Sequence, residues 1–149
     1  MAIRPNRTWD DAAEGTVVPR IELDFPYTRV VWGAVASMDM FPGHHEAAYA
    51  QSQGQKTIYV NTMVYQAFID RVVTDWAGPG AFIVKRKMTM QRPVYGGDRM
   101  YGEGVVTRRY RDDQGRALAD IDVDVGNAEG VCCPAKVTVM LDVAPRSLS

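Results

Sequence analysis

Alternating hydrophobic and polar residues predict a strand near the start of the chain. From residue 17 to residue 25 the apolar side of the pattern falls on every second position, at Val17, Pro19, Ile21, Leu23 and Phe25. A period of two is typical of a strand with one buried face. A second apolar run, Val30–Val35, leads into residues 38–45, where Pro42-Gly43 indicates a turn rather than continued strand. We predict a short helix at Glu46–Ser52 that ends near Gly54.

The segment from residue 60 to residue 76 carries apolar residues at four-residue spacing. The repeating positions are Val60, Val64, Phe68, Val72 and Trp76, with Tyr65, Ile69 and Val73 beside them. This spacing predicts an α-helix, and an apolar surface this wide must be largely buried. Asn61 is a suitable N-cap residue, and Gly78-Pro79 is a strong stop. The helix would have about 16 residues and a length of roughly 24 Å.

Four strand candidates follow the long helix, and no second long helix accompanies them. They are Phe82–Gln91, Arg99–Arg111, Ala117–Gly126 and Ala135–Val143. The third alternates most clearly, with Ile121, Val123 and Val125 predicted to face inward. Gly96-Gly97 and Asp112–Gly115 predict turns, the second of them a hairpin loop between two long strands.

One long buried helix, with strands before it and an antiparallel series after it, predicts an α+β fold. In this arrangement, the hot-dog fold, a single curved sheet wraps round the helix. A ferredoxin-like domain is the structural alternative, but it requires a second helix that this sequence does not supply. The length suits one domain, which we expect to span residues 1–149, with a polar N-terminal extension at 1–14 and a tail at 144–149.

Composition and charge narrow the classes of function. The 17 basic and 18 acidic side chains give a net charge of −1, without the basic excess that nucleic-acid binding requires. No stretch approaches the roughly 20 apolar residues that span a bilayer, and no apolar run follows the first residues. We therefore expect neither a membrane anchor nor a signal peptide. The only cysteines, Cys132 and Cys133, are adjacent and cannot staple distant segments, which favours a reducing, cytoplasmic setting.

The candidate chemistry lies at the predicted turn. The only two histidines are His44 and His45, and Asp39 precedes the first of them by five residues. A carboxylate and an imidazole presented by one turn could hold a water, take its proton and return one near neutral pH. Spacing alone favours the alternative, a solvated loop whose histidines bind nothing.

Two motifs change that balance. The stretch from Asp39 to His44 resembles the Asp-x-Asn-Pro-x-His signature of MaoC-like (R)-specific enoyl-CoA hydratases, and Pro93–Asp98 resembles the Pro-Val-x-x-Gly-Asp turn of the same family. The resemblance covers about residues 10–143. It implies a hot-dog fold, Asp39 and His44 as the catalytic pair, and the backbone amide of Thr62, where many relatives have Gly, as the donor to the thioester oxygen.

A closer resemblance is to the short MaoC-like subunit of heteromeric bacterial hydratases that act on CoA-activated steroid side chains. It is carried by His44-His45, by Ile58–Asn61 and by Val73–Pro79. This resemblance implies an oligomer, either a homodimer or a heteromer with a related MaoC-like chain. One position departs from the family, because Phe41 stands where the family has Asn. We expect Phe41 to help form a larger, drier pocket, and we place His45 and Asn61 among the substrate contacts.

The other candidates carry weaker arguments. Cys132-Cys133 lacks a second histidine that could activate a nucleophile, and the histidines and carboxylates do not form a metal-ligand set. Lys85–Lys87, with Arg92 and Arg99, form a basic cluster in the sequence that could meet the phosphates of CoA. A solvated strand edge is the alternative that we favour for this cluster.

The sequence therefore predicts a hydratase that adds water to a trans-2-enoyl-CoA thioester and needs no cofactor, with CoA present only as part of the substrate. Three alternatives remain open at this point. They are a non-catalytic subunit of a heteromeric hydratase, a hot-dog acyl-CoA thioesterase, and a module that binds an acyl thioester without turnover.

Overall fold

The computed structural model describes residues 6–141. The elements in chain order are β1 (Val17–Asp24), α1 (Tyr27–Ala36), a 3-10 turn (Pro42–His44), α2 (Ala47–Ser52), α3 (Thr62–Ala77), β2 (Phe82–Met88), β3 (Arg99–Arg111), β4 (Ala117–Asn127) and β5 (Gly130–Met140). All strand pairs are antiparallel, and the five strands form one sheet in the order β1-β3-β4-β5-β2. Helix α3 contacts every strand of this sheet. The α+β hot-dog prediction is confirmed.

Helix α3 begins and ends where its flanking residues predict. The Asn61 side chain accepts a hydrogen bond from the Val64 N–H at 3.1 Å, which satisfies one of the free donors of the first turn. Gly78 ends the helix with φ +91°, a conformation that glycine adopts without steric cost. The inward residues of α3 include Ile69 and Val73, which are fully buried. The sheet therefore packs around a helix that water does not reach on its inner side.

Strand β1 departs from the predicted alternation at its start. Its register with β3 shifts between Val18 and Ile21, so the bulge changes which face each earlier residue occupies. Val18 is fully buried, whereas Val17 is 70% exposed and Pro19 is also exposed. The predicted inward positions are correct from Ile21 onward and wrong for Val17 and Pro19.

Two further elements differ from the sequence pattern. The run Val30–Val35, which precedes the predicted turn and has the character of a strand, lies within helix α1. Strand β5 begins at Gly130 and not at Ala135, because Val131 and Cys133 already pair with β4. Val143 and the predicted tail at 144–149 lie outside the described residues.

The described part of the N-terminal extension lies against the sheet and the end of α3. The Arg7 N–H donates to the Ala77 carbonyl at 2.8 Å, and Ala12 is fully buried. The guanidinium of Arg109 on β3 stacks on the Trp9 ring at 4.2 Å. Over residues 6–141, none of the helices combines the length and apolar character needed to cross a membrane.

Candidate active site

Asp39 is presented by the end of helix α1. The helix ends at Ala36, and Met38 then takes a positive φ of 56°, which turns the chain sharply. The Asp39 N–H donates to the Ala34 carbonyl at 3.0 Å, so its backbone is fixed by the last turn of the helix. The carboxylate remains 35% exposed.

His44 is the last residue of the 3-10 turn, and its ring is buried. The Nδ1 atom lies 2.8 Å from the Tyr59 carbonyl oxygen. A carbonyl oxygen can only accept, so Nδ1 carries the hydrogen and donates it. A neutral His44 therefore presents the lone pair of Nε2 on the other side of the ring. The rings of Phe41 and Tyr59 make T-shaped contacts with this ring at centroid distances of 5.5 and 5.1 Å.

The carboxylate and the imidazole meet, as the candidate chemistry requires. The Asp39 Oδ2 and His44 Nε2 atoms are 3.5 Å apart. When His44 is neutral, both atoms are acceptors, so the pair suits a molecule that donates two hydrogens. A water molecule has that property and would keep its own lone pairs free. When His44 is protonated, Nε2–H can donate to the carboxylate instead.

The extended segment Ile58–Val60 joins the two sequence motifs. On one side the Tyr59 N–H donates to the Gly43 carbonyl at 3.2 Å. On the other side the Val60 N–H donates to the Val94 carbonyl at 2.9 Å. A Cβ at Gly43 would lie 2.7 Å from both the Phe41 ring and the Tyr59 hydroxyl, so these side chains would have to shift to admit it. The turn that carries His44 is thus held between Tyr59 and Phe41.

A cavity of about 230 Å³ opens beside His44. Its walls are His44, Gln55, Tyr59, Val60, Thr62, Tyr65, Met90, Gln91, Arg92 and Pro93. Thr62 is the first residue of α3, where backbone N–H groups have no acceptor inside the helix and the helix dipole favours negative charge. Because the Asn61 cap is used on Val64, the Thr62 N–H is left to another acceptor. Asp39 is not one of the wall residues, and its Oδ2 lies 3.5 Å from Nε2 of the wall residue His44.

The three predicted substrate contacts lie in different environments. Phe41 is 42% exposed, and its ring makes T-shaped contacts with the rings of His44 and Tyr49. His45 is exposed and its Nε2 pairs with the Met40 carbonyl at 3.1 Å, outside the cavity. Asn61 is 2% exposed with both ends of its amide bound inside the chain. None of the three is a wall residue of the cavity described above, and their contacts with substrate stay predictions.

The basic cluster of the sequence is dispersed in the fold. Arg86 pairs with Asp70 of α3, whereas Arg99 pairs with Glu22 of β1, at the opposite edge of the sheet from β2. Lys85 and Lys87 line shallow depressions on the outer face of the sheet. Arg92 alone reaches the cavity wall, and its guanidinium donates to the Val131 carbonyl at 2.8 Å. These five residues do not form one joint basic surface, because they lie on different parts of the fold and because successive residues of a strand point to opposite faces.

The two cysteines and the possible metal ligands were the remaining candidates for chemistry. Cys132 and Cys133 are buried and unpaired, and burial raises the pKa of both thiols, that of Cys133 to about 11. Their thiols therefore stay protonated and poorly nucleophilic. Residues 6–141 contain no cluster of three or more His, Cys, Asp or Glu side chains that could hold a metal ion.

Two tyrosines of the cavity wall were not among the predicted site residues. Burial raises the pKa of both Tyr59 and Tyr65, so each hydroxyl stays neutral. The Tyr65 hydroxyl accepts from the Val94 N–H at 2.8 Å and donates to the Arg92 carbonyl at 3.3 Å. It therefore fixes the second motif to α3. The helical spacing in the sequence predicts only that Tyr65 is a core residue. The hydrogen bonds of its hydroxyl to the loop at Arg92 and Val94 become evident in the structure.

The chain is similar to known proteins in sequence as well as in fold. Residues 15–129 match the model of the MaoC like domain. The chain is 37% identical, over 93 residues, to the 3-oxo-4,17-pregnadiene-20-carboxyl-CoA hydratase beta subunit of Mycobacterium tuberculosis, a match that covers 62% of this chain and 72% of that protein.

Solved structures also share the fold of this chain. The crystal structure of the ChsH1-ChsH2 complex from Mycobacterium tuberculosis superposes with a TM-score of 0.80 and 32% identity over 87% of this chain and 98% of that chain. An (R)-hydratase from A. caviae involved in PHA biosynthesis has a TM-score of 0.77 over 86% of this chain and 96% of that chain. At 22% identity, that second likeness concerns the fold alone.

Proposed function

This chain belongs to the MaoC-like domain family, and from that membership and the pairing of Asp39 with His44 we propose that it is an enoyl-CoA hydratase. The reaction adds water to a trans-2-enoyl thioester and gives a 3-hydroxyacyl thioester, or the reverse. The observation that carries the proposal is the 3.5 Å approach of the two acceptor atoms, Asp39 Oδ2 and His44 Nε2, beside the cavity that Thr62 also lines.

The first role of the pair is to hold and deprotonate the water. One water hydrogen points to the Asp39 carboxylate and the other to His44 Nε2, so an oxygen lone pair is directed away from the protein toward the β carbon of the substrate. As the new C–O bond forms, the pair takes one proton from the water and the double-bond electrons move onto the thioester carbonyl oxygen. The pair then delivers one proton to the α carbon, so that a whole water molecule has been added.

The second requirement is to stabilise the negative charge on the thioester oxygen. Thr62 begins a 16-residue helix and lines the same cavity as His44, and its backbone N–H is the donor that we assign to the thioester oxygen. A backbone donor at this position combines a hydrogen bond with the positive end of the helix dipole. The thioester itself acidifies the α position, so this scheme needs no cofactor other than the CoA that the substrate carries.

We further propose a bulky acyl group and a second MaoC-like chain. The bulky acyl group is supported by the relative that is named as a pregnadiene-carboxyl-CoA hydratase subunit, and by an aromatic Phe41 beside His44. The second chain is supported by the ChsH1-ChsH2 complex, since this chain superposes on one chain of that structure. Large apolar side chains are also exposed next to the site: Met40 follows Asp39, Met63 follows Thr62, and Met90 lines the cavity. Exposed apolar residues of this kind mark protein or ligand contacts.

The test is a turnover assay on two substrates, crotonyl-CoA and a polycyclic enoyl-CoA, that follows the loss of enoyl absorbance. The chain is assayed alone and then with any MaoC-like chain that the same genome encodes, and the Asp39→Asn variant serves as the inactive control. Hydration by the wild type, alone or paired, and not by the variant supports the proposal. Release of free CoA thiol would indicate a thioesterase, because hydration leaves the thioester intact, and tight binding without turnover would indicate a binding module.

A further inference from the structure

The buried side chain of Asn61 links two helices at the candidate site. Its Oδ1 caps α3 by accepting from the Val64 N–H, and its Nδ2 donates to the Ser37 hydroxyl at 2.6 Å. The Ser37 hydroxyl in turn donates to the Gly33 carbonyl of α1 at 2.8 Å. A continuous chain of hydrogen bonds therefore connects the start of α3 with the end of α1.

The same two helices touch closely at a second point. A Cβ at Gly33 would lie 2.6 Å from the Val64 Cγ2 atom, closer than side-chain atoms approach. Val64 is also the residue whose N–H Asn61 caps. The Gly33–Val64 contact and the Asn61–Ser37 bond thus join α1 and α3 at one junction.

Both groups that the proposed reaction needs on opposite sides of the substrate are attached to this junction. Asp39 follows Ser37 by two residues, and its N–H is bound to the Ala34 carbonyl of α1. Thr62 follows Asn61 directly and begins α3. We propose that the Asn61–Ser37 hydrogen bond is a positioning device that sets the separation between the Asp39 carboxylate and the Thr62 N–H. Asn61 and Ser37 are therefore positioning residues, and their role rests on the proposed function.

The direct test removes the acceptor and leaves the helix cap in place. Ser37→Ala keeps the bond from the Val64 N–H to Asn61 but leaves the Asn61 Nδ2 without its partner. Because a shift of about 1 Å between reacting groups can cost on the order of 10²-fold in rate, we expect kcat to fall by about tenfold or more while KM changes by less than about twofold. Ser37→Thr retains the hydroxyl and should restore kcat.

Ser52→Ala is the matched control. The Ser52 hydroxyl also donates to a carbonyl one turn earlier, that of Tyr49 at 2.7 Å, but it lies at the exposed end of α2. A second variant approaches the bond from the other side, since Asn61→Ser keeps a capping oxygen but is too short to reach Ser37. If one bond carries the effect, the Ser37→Ala/Asn61→Ser double variant should be no slower than the worse single variant.

The assay uses whichever of crotonyl-CoA and the polycyclic enoyl-CoA the wild type hydrates faster, with the partner chain if turnover needs it. Wild-type kcat in Ser37→Ala, or fully additive losses in the double variant, would overturn the positioning role while leaving the hydratase proposal intact. A loss of kcat that Ser37→Thr fails to restore would also overturn it. A wild type that hydrates neither substrate would overturn the proposed function, and this inference with it.

Discussion

His44 Nδ1 lies 2.8 Å from the carbonyl oxygen of Tyr59, a residue on a separate extended segment. This bond fixes the tautomer of the imidazole and directs its basic nitrogen toward Asp39. An exposed histidine on a free turn would sample both tautomers and many orientations. Here a backbone carbonyl, which no side-chain substitution removes, selects the one that the proposed chemistry uses.

Replacement of either acid–base group should abolish most of the turnover. We expect Asp39→Asn and His44→Gln each to lower kcat by about 10²–10⁴-fold, the usual contribution of a positioned acid or base. The double variant should be little slower than the worse single variant, because the two groups act on one water. The exposed Asp113→Asn variant on the β3–β4 loop is the control. Single variants with near-wild-type turnover and intact folding would contradict the mechanism.

Phe41 should influence which acyl groups the site accepts. Its ring makes T-shaped contacts with both His44 and Tyr49. The family signature has an asparagine at position 41. We expect Phe41→Asn to raise kcat/KM on crotonyl-CoA relative to the polycyclic enoyl-CoA, because the exchange replaces an apolar ring beside His44 with a polar amide. Parallel assays of both substrates measure the ratio. A ratio equal to that of the wild type would show that this ring does not select the acyl group.

The regular elements of the fold could be predicted because their signals are local. The bounds of β3 are those predicted, and Asn61 and Gly78 mark the ends of α3 through their own capping chemistry. The phase of β1 could not be predicted, since its bulge depends on the register with β3. The run Val30–Val35 could not be assigned to α1 because β-branched residues favour strands until tertiary contacts decide otherwise.

The site was predictable in its residue types and not in its connections. The motif resemblance selects Asp39 and His44, and the structure brings their side chains to 3.5 Å. The hydrogen bond from His44 is accepted by the backbone carbonyl of Tyr59, so the residue type at position 59 does not predict it. The link between Asn61 and Ser37 spans 24 residues, and the sequence shows only that Asn61 can cap a helix.

The contact between α1 and α3 should make Gly33 intolerant of a side chain. Alanine in a helix interior is normally favoured over glycine by about 0.5–1 kcal/mol. At this position the added Cβ meets the stiff side chain of Val64 at 2.6 Å, so we expect Gly33→Ala to lower the free energy of unfolding by about 1–3 kcal/mol. Val64→Ala in the same chain should recover most of the loss. Urea denaturation measures both, and a Gly33→Ala variant more stable than the wild type would contradict the packing.

The buried thiols should be silent in the folded protein. Burial raises the pKa of Cys133 from its ordinary value near 9.0 to about 11, and raises that of Cys132 as well. A chromogenic disulfide reagent at pH 8 should therefore react with both thiols only after denaturation. Between pH 9 and 11 the unfolded chain loses these protons while the folded chain keeps them, so stability should fall as the pH rises through that range. Rapid labelling of the native chain would show that the thiols are accessible.

Tyr65 provides the last test, because its hydroxyl holds the loop of the second motif against α3. The Val94 N–H donates to this hydroxyl at 2.8 Å, and Val94 is fully buried. Tyr65→Phe leaves that N–H without an acceptor, and an unsatisfied buried donor costs about 1–3 kcal/mol. We expect a loss of that size in the free energy of unfolding, measured in urea, whereas Tyr27→Phe, at a half-exposed ring, should change it by less than about 0.5 kcal/mol. Since Tyr65 and Pro93 share the cavity wall, the same variant should also raise KM for the enoyl-CoA. Equal stability of the two variants would mean that water replaces the hydroxyl, and that the loop does not depend on this bond.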